Sequence, residues 1–406
     1  MKDVKDYIGI TRQPLLNIKS SNSPQPPKSF IYKVKDFFTS DTFGWLFHTF
    51  WVKKRYQYPS KIVALPVEVT DVKLGIVADW ASGTVQAEWV GNCIKDKDTD
   101  LTIHLGDTYY SGAKDELDFS FGAGNGDNGI WPRGKLGSFA LSGNHEMFSS
   151  GAEYYNMITS KNRGWGFMGG GQEAPVFCIK TSNWCILGLD TGYDSLKRGI
   201  IPVAINPNNT KLQLQSSVIN WLTNVVNIQQ EQRNIVVLTH HQYITAFNGE
   251  DEFSIPAAQL KSLLPENKEV IWIWGHEHRF SIYNRFKLDD QHIAAYGRCI
   301  GHGGMPDEHT PQRALIPAKA KTRNLLAYDS RVAETFIIKD KKLDVGGNGY
   351  AILATNGQQL TITYYSSYQD TLGNRKDEIL YTENWLGTTG LTCTSTQDAG
   401  KLTFIK

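Results

Sequence analysis

The sequence predicts an α/β sandwich, in which helices cover the faces of β-sheets. Three features of the 406-residue chain support this prediction. Short apolar segments alternate with amphipathic segments of helical period, as expected where strands and helices alternate along a chain. Residues 270–274 are apolar without interruption, which suits a strand that is covered on both faces. With 40% hydrophobic and 20% charged residues, the chain can bury a sizeable core.

The chain begins with a segment that we predict to be an extension packing on the main domain. Within it, residues 20–27 are rich in serine and proline, a composition typical of a linker or an exposed loop. The alternation of strands and helices starts only near residue 71. The predicted units are an extension at 1–70 and a domain at 71–406, made of a motif-bearing part at 71–305, an insertion at about 306–345 and closing β-strands at 346–406.

Within the motif-bearing part, hydrophobic periodicity predicts each element in turn. The clearest helix spans residues 212–226, because Leu214, Val218 and Trp221 recur at i, i+4 and i+7. Residues 176–179 and 184–189 are predicted to form a hairpin. The remaining elements, in chain order, are a strand at 73–78, a helix at 84–94, strands at 101–105 and 139–141, a helix at 152–158, a strand at 234–238, a helix at 257–264 and a strand at 270–274.

After residue 345 the pattern changes to strands alone. Residues 349–355 and 359–366 are separated by Asn356-Gly357, a strong signal for a two-residue hairpin turn. A third strand is predicted at 377–382. We expect these strands to complete a sheet of the main domain.

The charge balance bears on the class of partner. The formal net charge is only +1, whereas proteins that grip nucleic acid usually carry a basic excess. We therefore expect no nucleic-acid binding. No apolar run is long enough to span a bilayer. The first residues lead into no apolar signal region, so we expect a cytoplasmic protein, or a periplasmic or secreted one if a signal was removed.

The five cysteines show no C-x-x-C spacing, and free thiols are the expectation for most of them. Cys178 and Cys185 would face each other across the predicted hairpin. Whether that pair forms a bridge stays open at this point.

Side chains of metal-ligand type follow five of the apolar stretches, at the point where each stretch ends. In α/β folds, ligands bind beyond the carboxyl ends of the strands, so we expect these clusters to meet in space. The five segments are Val77-Ala78-Asp79, Leu105-Gly106-Asp107-Thr108-Tyr109-Tyr110, Ser142-Gly143-Asn144-His145-Glu146, Val237-Leu238-Thr239-His240-His241 and Trp274-Gly275-His276-Glu277-His278.

The donor types in these clusters suit two cations held side by side. Carboxylate and phenolate oxygens are hard donors, and imidazole nitrogen and amide oxygen are intermediate ones. Two ions bridged by one carboxylate can activate a water molecule near neutral pH and stabilise the transition state of phosphoryl transfer. The set therefore predicts metal-assisted hydrolysis of a phosphate ester. His145, next to Asn144, is placed by sequence to donate a proton to the leaving group.

On these motifs, the chain resembles the calcineurin-like metallophosphoesterases over roughly residues 71–305, and among them most closely the purple acid phosphatases. Many members of the superfamily open with D-x-H, whereas Asp79-Trp80-Ala81 has no histidine there. The second block instead matches GDxxY, with Tyr110 at the ligand position. A second departure is Gln242, which replaces the proline of the family's V-x-x-H-x-P pattern.

The resemblance implies a four-layer α-β-β-α sandwich of two mixed β-sheets flanked by helices, and a centre of two metal ions. It implies Fe(III) at the Asp79/Tyr110/His278 site and Fe(II), Zn or Mn at the second site. The implied metal ligands are Asp79, Tyr110 and His278 for the first ion, Asn144, His240 and His276 for the second, and Asp107 as the bridge. His145 would be the proton donor or a phosphate contact.

Several further residues are candidates for the same site. The motif register favours His240 over its neighbour as the metal ligand, so His241 is a candidate substrate contact. His302, in a Gly-His-Gly-Gly segment after a strand, is another candidate substrate contact. Arg279 and Arg298 have the guanidinium fork that fits phosphate, although a structural role is the more common one for each.

The function expected from these observations is hydrolysis of phosphate monoesters through a metal-bound hydroxide, in the manner of an acid phosphatase. The substrate would be a phosphorylated small molecule or a phosphoprotein. Two alternatives use the same residues. One is a phosphodiesterase acting on nucleotide or phospholipid diesters with the same ions, and the other is a non-catalytic protein that binds metal or phosphate.

Overall fold

A computed structural model describes residues 55–127, 129–196, 211–338, 341–369, 375–387 and 390–405. Within them, two large mixed β-sheets pack face to face, and helices lie on the outer face of each sheet. This arrangement confirms the predicted four-layer sandwich. None of the helices formed by these residues is both long and apolar enough to cross a membrane.

The first sheet has nine strands in the order β1-β6-β7-β8-β9-β11-β10-β12-β19. Its centre is parallel, because β7, β8, β9 and β11 all run in the same direction. The strands are β1 Val67–Glu68, β6 Phe177–Lys180, β7 Trp184–Gly188, β8 Asn234–Leu238, β9 Glu269–Trp274, β10 Phe280–Phe286, β11 Ala294–Ile300, β12 Leu325–Tyr328 and β19 Thr403–Phe404.

The second sheet has eight strands in the order β18-β17-β16-β15-β2-β3-β4-β5. Strands β2, β3 and β4 are parallel neighbours, and β15 to β18 extend the sheet by antiparallel pairing. The strands are β2 Lys73–Val77, β3 Leu101–His104, β4 Gly137–Ala140, β5 Gly166–Phe167, β15 Asn348–Asn356, β16 Gln359–Gln369, β17 Arg375–Gly387 and β18 Leu391–Asp398.

Helices cover the outer faces of both sheets. The hydroxyl of Thr84 accepts a hydrogen bond from Ala87 N and so caps the first helix, as expected of threonine at this position. The helices are α1 Val85–Asp96, α2 Lys114–Phe121, α3 Asn144–Phe148, α4 Ala152–Thr159, α5 Ser216–Asn224, α6 Ile255–Leu263 and α7 Pro317–Thr322.

Helix α5 is shorter than the predicted span of 212–226. Leu214 is buried as predicted, but its backbone lies outside the helix. The Gln259 side chain accepts a hydrogen bond from Leu214 N at 2.8 Å and donates one to Leu214 O at 3.1 Å. This amide on α6 therefore satisfies both backbone groups of Leu214 outside the helix.

The N-terminal part of the described chain lies against the main domain. Tyr56 N donates to Ser150 O, and Trp221 Nε1 donates to Ala64 O at 2.8 Å. Strand β1 then joins the edge of the nine-stranded sheet beside β6. Of the predicted extension at 1–70, residues 1–54 lie outside the described part.

The segment predicted as an insertion contributes directly to the nine-stranded sheet. Strand β12 pairs with β10 on one side and with β19 on the other. The same segment carries a separate hairpin of β13 Glu334–Ile338 and β14 Lys341–Val345. The predicted hairpin of β6 and β7 is present, and its Cys178 and Cys185 Sγ atoms lie 3.7 Å apart as free thiols.

A buried ion pair lies between the two sheets. Arg298 Nε donates to Glu383 Oε2 at 2.8 Å and Arg298 Nη2 to Glu383 Oε1 at 2.5 Å. Tyr364 Oη also donates to Glu383 Oε2, and the charged partners are 2% and 1% exposed. Arg298, a candidate phosphate contact by sequence, therefore pairs with strand β17 in the interior of the protein.

We expect Glu383→Gln to lower the free energy of unfolding by roughly 3–5 kcal/mol, because it leaves the Arg298 charge buried without its counter-ion. Urea unfolding followed by circular dichroism measures the change. The control is Arg285→Gln, because Arg285 pairs with Glu269 at the surface and its loss should cost at most about 1 kcal/mol. Equal losses in the two variants would contradict the prediction.

Candidate metal centre

The side chains predicted to bind metal meet where the two sheets share an edge. Asp79, Asp107 and Asn144 follow strands β2, β3 and β4 of the eight-stranded sheet. His240 follows β8 of the nine-stranded sheet, and His276 and His278 lie between β9 and β10. Each sheet thus supplies part of one cluster, as expected where parallel strands end side by side.

One half of the cluster surrounds a phenol. Tyr109 Oη donates to Asp79 Oδ1 at 2.7 Å and lies 2.9 Å from His278 Nε2. The same hydroxyl lies 3.2 Å from Asp107 Oδ2, and His278 Nε2 lies 3.4 Å from Asp79 Oδ1. A carboxylate, a phenol and an imidazole therefore present their donor atoms to one point.

This phenol belongs to Tyr109. The GDxxY motif had indicated Tyr110. Tyr110 instead contacts the surrounding loop through its backbone, with its N–H donating to Glu116 and its carbonyl accepting from His145 Nδ1. The structure therefore places Tyr109, and not Tyr110, beside Asp79 and His278, and which tyrosine binds a metal ion stays a prediction. Motif spacing selects Tyr110, whereas the path of the backbone turns the Tyr109 ring towards the carboxylates.

The other half of the cluster centres on His240. Its Nε2 lies 3.3 Å from Asp107 Oδ2 and 3.3 Å from Asn144 Oδ1. The His276 ring lies beside it, with 5.2 Å between ring centroids. Two groups in the described part of the chain have the proximity that a metal ion needs, one of Asp79, Asp107 and His240 and one of His240, His241 and His276.

The backbone is forced into unusual conformations around these ligands. Asp79, Asp107 and His276 have φ values of 56°, 69° and 65°, which non-glycine residues seldom adopt. A Cβ on Gly143 would lie 2.1 Å from Asp107 Oδ1 and 2.7 Å from His240 Nε2. Strain of this kind concentrates at functional sites, where surrounding contacts hold it in place.

The electrostatics of the cluster suit bound cations. Asp79 and Asp107 are buried at 0% and 1% exposure, and burial raises the pKa of Asp79 to about 6. Burial would lower the pKa of His240, but the Asp107 carboxylate outweighs it and raises that pKa to about 9. His276 Nδ1 is buried and has no hydrogen-bond partner among the described residues. Buried carboxylates beside an unpartnered imidazole nitrogen fit a metal site.

His145 lies at the more open side of the cluster. Its Nδ1 donates to Tyr110 O at 2.6 Å, and its backbone N–H donates to Asp107 Oδ1 at 2.9 Å. Neither bond uses Nε2, which lies 3.8 Å from Asp107 Oδ2. The His145 side chain is 16% exposed. Burial lowers the pKa of His145, while the Asp107 carboxylate opposes that shift.

Two acidic residues without a role in the sequence-based prediction, Glu146 and Asp190, hold the loops of the cluster in place. Glu146 Oε2 accepts hydrogen bonds from Gly143 N at 2.6 Å and from Asp107 N at 3.2 Å. Asp190, after β7, accepts from Ser142 Oγ and thereby anchors the loop that carries Asn144. Glu146 is visible in the Asn-His-Glu motif, whereas nothing near Asp190 in the sequence connects it to this loop.

The two candidate substrate contacts have different surroundings. His241 lies inside the cluster, with its ring centroid 4.7 Å from that of His276. His302 lies behind the cluster, where its ring faces Phe280 and would contact a Cβ placed on Gly349. His302 is only 1% exposed. The burial of the ring beside Phe280 and Gly349 does not favour a contact with substrate, and the role of His302 stays a prediction.

Arg279 is also buried, and it packs against a phenyl ring. Its guanidinium carbon lies 3.9 Å from the centroid of the Phe247 ring, and Nη1 donates to Arg313 O at 3.0 Å. Its Nε lies 3.7 Å from Glu277 Oε2. These contacts match the structural role expected of most arginines.

Solved structures similar to this chain have low sequence identity. A structure of PhoD is 12% identical with a TM-score of 0.47, over 83% of this chain and 74% of PhoD. Vps29 from Chaetomium thermophilum is 10% identical with a TM-score of 0.30, over 78% of this chain and 98% of Vps29. A predicted phosphoesterase from Streptococcus pneumoniae TIGR4 is 10% identical with a TM-score of 0.26, over 77% of this chain and 99% of that protein.

No curated protein sequence matches this chain. The sequence pattern that defines the calcineurin-like phosphoesterases matches residues 72–280, which is just over half of the 406 residues. The match covers the segments from Asp79 to His278 and confirms the resemblance to this superfamily. The closer similarity to purple acid phosphatases stays a prediction. The chain belongs to the calcineurin-like phosphoesterase family.

Proposed function

We propose that this protein, a metal-dependent phosphoesterase by family, hydrolyses phosphate monoesters at the cluster around Asp107. The observation that carries the proposal is the convergence of carboxylate, phenol, amide and imidazole donors from both sheets. No single one of the five sequence segments supplies this combination. Their meeting at one buried point is what distinguishes a metal centre from a set of turns and core histidines.

The donor atoms divide into two groups that share Asp107. Asp79, Tyr109 and His278 would hold one ion, and Asn144, His240 and His276 would hold the other. When bound, the ions would activate water for attack on phosphorus and neutralise the charge that develops on the phosphoryl oxygens. The protein would position the ions through the buried carboxylates of Asp79 and Asp107. Glu146 fixes the loops that carry Asp107 and Asn144 by accepting hydrogen bonds from their backbone.

The phenol supports Fe(III) in the first group. A tyrosine oxygen within hydrogen-bond distance of Asp79 and His278 is a hard donor, and hard donors suit a trivalent ion. The second group offers an amide oxygen and imidazole nitrogens, which suit Fe(II), Zn or Mn. A phenol in the first group also supports the acid-phosphatase-like activity, because the resemblance to purple acid phosphatases implies a tyrosine ligand, although the motif indicated Tyr110 and the structure presents Tyr109.

His145 is proposed to protonate the leaving group. The Tyr110 carbonyl accepts the Nδ1 proton, so the ring is oriented with Nε2 towards the Asp107 side of the cluster. An imidazolium in this orientation can donate its Nε2 proton to a departing alkoxide. The nearby Asp107 carboxylate favours the protonated form and opposes the effect of burial.

We expect His145→Ala to slow the hydrolysis of an alkyl phosphate by roughly a hundredfold or more, as for loss of a general acid. The effect on p-nitrophenyl phosphate should be much smaller, because that leaving group departs without protonation. Steady-state kcat for a series of leaving groups measures the difference. His309→Ala is the control, since His309 lies beside Asp307 and outside the cluster. A uniform loss across the series would contradict the acid role.

The substrate class is tested by comparing p-nitrophenyl phosphate with its bis ester. We expect kcat/KM for the monoester to exceed that for the diester by about tenfold or more, equivalent to about 1.4 kcal/mol. Removal of metal by chelation should abolish both activities, and restored metal should recover them. A preference for the bis ester would favour the diesterase alternative, and absence of turnover with any ester would favour a binding protein. Full activity in metal-free protein would contradict the proposal itself.

A further inference from the structure

His241 occupies an unusual position for a residue that follows a predicted metal ligand. It is buried at 3% exposure, and its ring centroid lies 4.8 Å from that of His240 and 4.7 Å from that of His276. Phe253 closes its other side at 4.9 Å. One ring nitrogen of each of the three histidines lies within 4.8 Å of the others. The ring is therefore part of the cluster and not of its rim.

A hydroxyl from another loop fixes the orientation of this ring. Thr191 Oγ1 accepts a hydrogen bond from His241 N at 3.1 Å and lies 3.0 Å from His241 Nδ1. His240 is held in the same manner, with its Nδ1 2.9 Å from Leu105 O. In proteins, a metal-bound histidine almost always donates its other ring N–H to such an oxygen. Both rings are thus held through Nδ1, which leaves Nε2 for a ligand.

Burial decides between two roles for this Nε2. A substrate contact must be reachable by a phosphate group from solvent, as His145 is with its 16% exposed side chain. His241, enclosed by His240, His276 and Phe253, offers no comparable access. A metal-bound imidazole needs no such access of its own, because its nitrogen contacts the ion and not the phosphate. Zinc–nitrogen bonds of about 2.0–2.1 Å place such nitrogens roughly 3.4 Å apart, a separation that lies within the 4.8 Å limit met by the three histidines.

We propose that His241 is a further ligand of the second metal ion, beside Asn144, His240 and His276. This inference rests on the proposed function and deepens it, because it changes the chemistry of the second ion. With His241, three imidazoles would join the Asn144 amide oxygen and the bridging Asp107 carboxylate, and this added nitrogen favours Zn or Fe(II) over Mn, which prefers carboxylate, carbonyl and water oxygens. Thr191 then acts as a positioning residue that keeps Nδ1 protonated and Nε2 free.

The alternative is the opposite tautomer. If Thr191 donated its hydroxyl proton to Nδ1, His241 would carry its proton on Nε2 and would be a hydrogen-bond donor, suited to a phosphate oxygen. The two tautomers make opposite predictions for metal affinity, since only the first has a lone pair at Nε2. Metal binding in the absence of substrate therefore separates them.

The experiment compares metal binding by the wild-type protein and by His241→Ala, without substrate. Elemental analysis gives the number of ions per chain, and competition with a chromophoric chelator gives the affinity for Zn(II). We expect His241→Ala to lower the affinity of the second site by about a hundredfold, while the first site is unaffected. The visible spectrum of Co(II)-substituted protein should change as well, because the second ion loses a nitrogen ligand.

Two further variants keep the result interpretable. His302→Ala removes an equally buried imidazole outside the cluster, and it should retain both ions with wild-type affinity. Thr191→Val keeps the shape of the side chain but removes the Nδ1 partner, and it should weaken the second site by about tenfold. Thr191→Val also supplies the test if His241→Ala fails to fold, and unchanged affinity in it would then overturn the proposal.

The outcomes separate this inference from the proposed function. If the wild-type protein binds two ions and His241→Ala binds both with unchanged affinity and an unchanged Co(II) spectrum, the inference is overturned and the proposed function stands. If the wild-type protein binds no second ion, the proposed function fails and the inference fails with it. A preference for Mn over Zn at the second site would also count against the three-histidine set.

Discussion

Asp107→Asn is expected to lower kcat/KM for phosphate esters by about a thousandfold, a loss of roughly 4 kcal/mol of transition-state stabilisation. Asp107 is the one carboxylate shared by both donor groups, with Oδ2 3.2 Å from Tyr109 Oη and 3.3 Å from His240 Nε2. Asparagine has the same shape, so it can still accept the hydrogen bond from His145 N. The substitution removes the charge and replaces one of the two carboxylate oxygens with an NH2 group, so the side chain can no longer bridge two ions.

The measurement for this variant pairs kinetics with elemental analysis. We expect the metal content to fall from about two ions per chain to about one or fewer, with an unchanged circular dichroism spectrum. Asp290→Asn provides the control. The Asp290 side chain is fully exposed and pairs with Lys287, which is not part of the cluster. Wild-type metal content together with wild-type kcat/KM in Asp107→Asn would rule out its bridging role.

The second large effect concerns colour. A phenolate bound to Fe(III) gives a charge-transfer band in the visible range, so iron-loaded wild-type protein should be coloured. Tyr109→Phe should abolish the band, because it removes the only atom that the ring presents to Asp79 and His278. Absorption spectra of the two iron-loaded proteins test this expectation directly.

The neighbouring tyrosine provides a closely matched control. Tyr110→Phe makes the same chemical change one residue away, and it should leave the band in place. A band that survives Tyr109→Phe but disappears in Tyr110→Phe would restore the motif-based assignment. A colourless wild-type protein that is fully active with zinc or manganese alone would exclude the iron–tyrosine centre and leave the phosphoesterase activity intact.

Hydrophobic period and chain order predicted the alternation of strands and helices, and the resemblance to the superfamily implied the four layers. The sequence also predicted that the side chains after five apolar stretches would come together, since parallel strands end at one edge. The motif selected Tyr110, whereas the ring beside Asp79 and His278 is that of Tyr109, because the motif does not show how the loop after β3 turns. Glu116, which accepts hydrogen bonds from Ser111 N and Ala113 N, holds that turn.

Long-range partners account for most of the remaining differences. Arg298 looked available for phosphate because Glu383 is 85 positions further along the chain. His302 looked like a loop residue near the site, yet it packs against Gly349 of a late strand. Thr191 carries no motif, and only the fold brings its hydroxyl to His241. In each case the role of the residue depends on a partner from a distant segment, and the local sequence does not show that partner.

The division of the ligands between the two sheets has a consequence for the stability of the protein. Asp79, Asp107 and Asn144 belong to one sheet, and His240, His276 and His278 belong to the other. Bound ions would therefore cross-link the two halves of the sandwich, and part of their binding free energy would be folding free energy. Mutations in the core between the sheets would then alter metal affinity without contacting a ligand, because they shift one half of the donor set relative to the other.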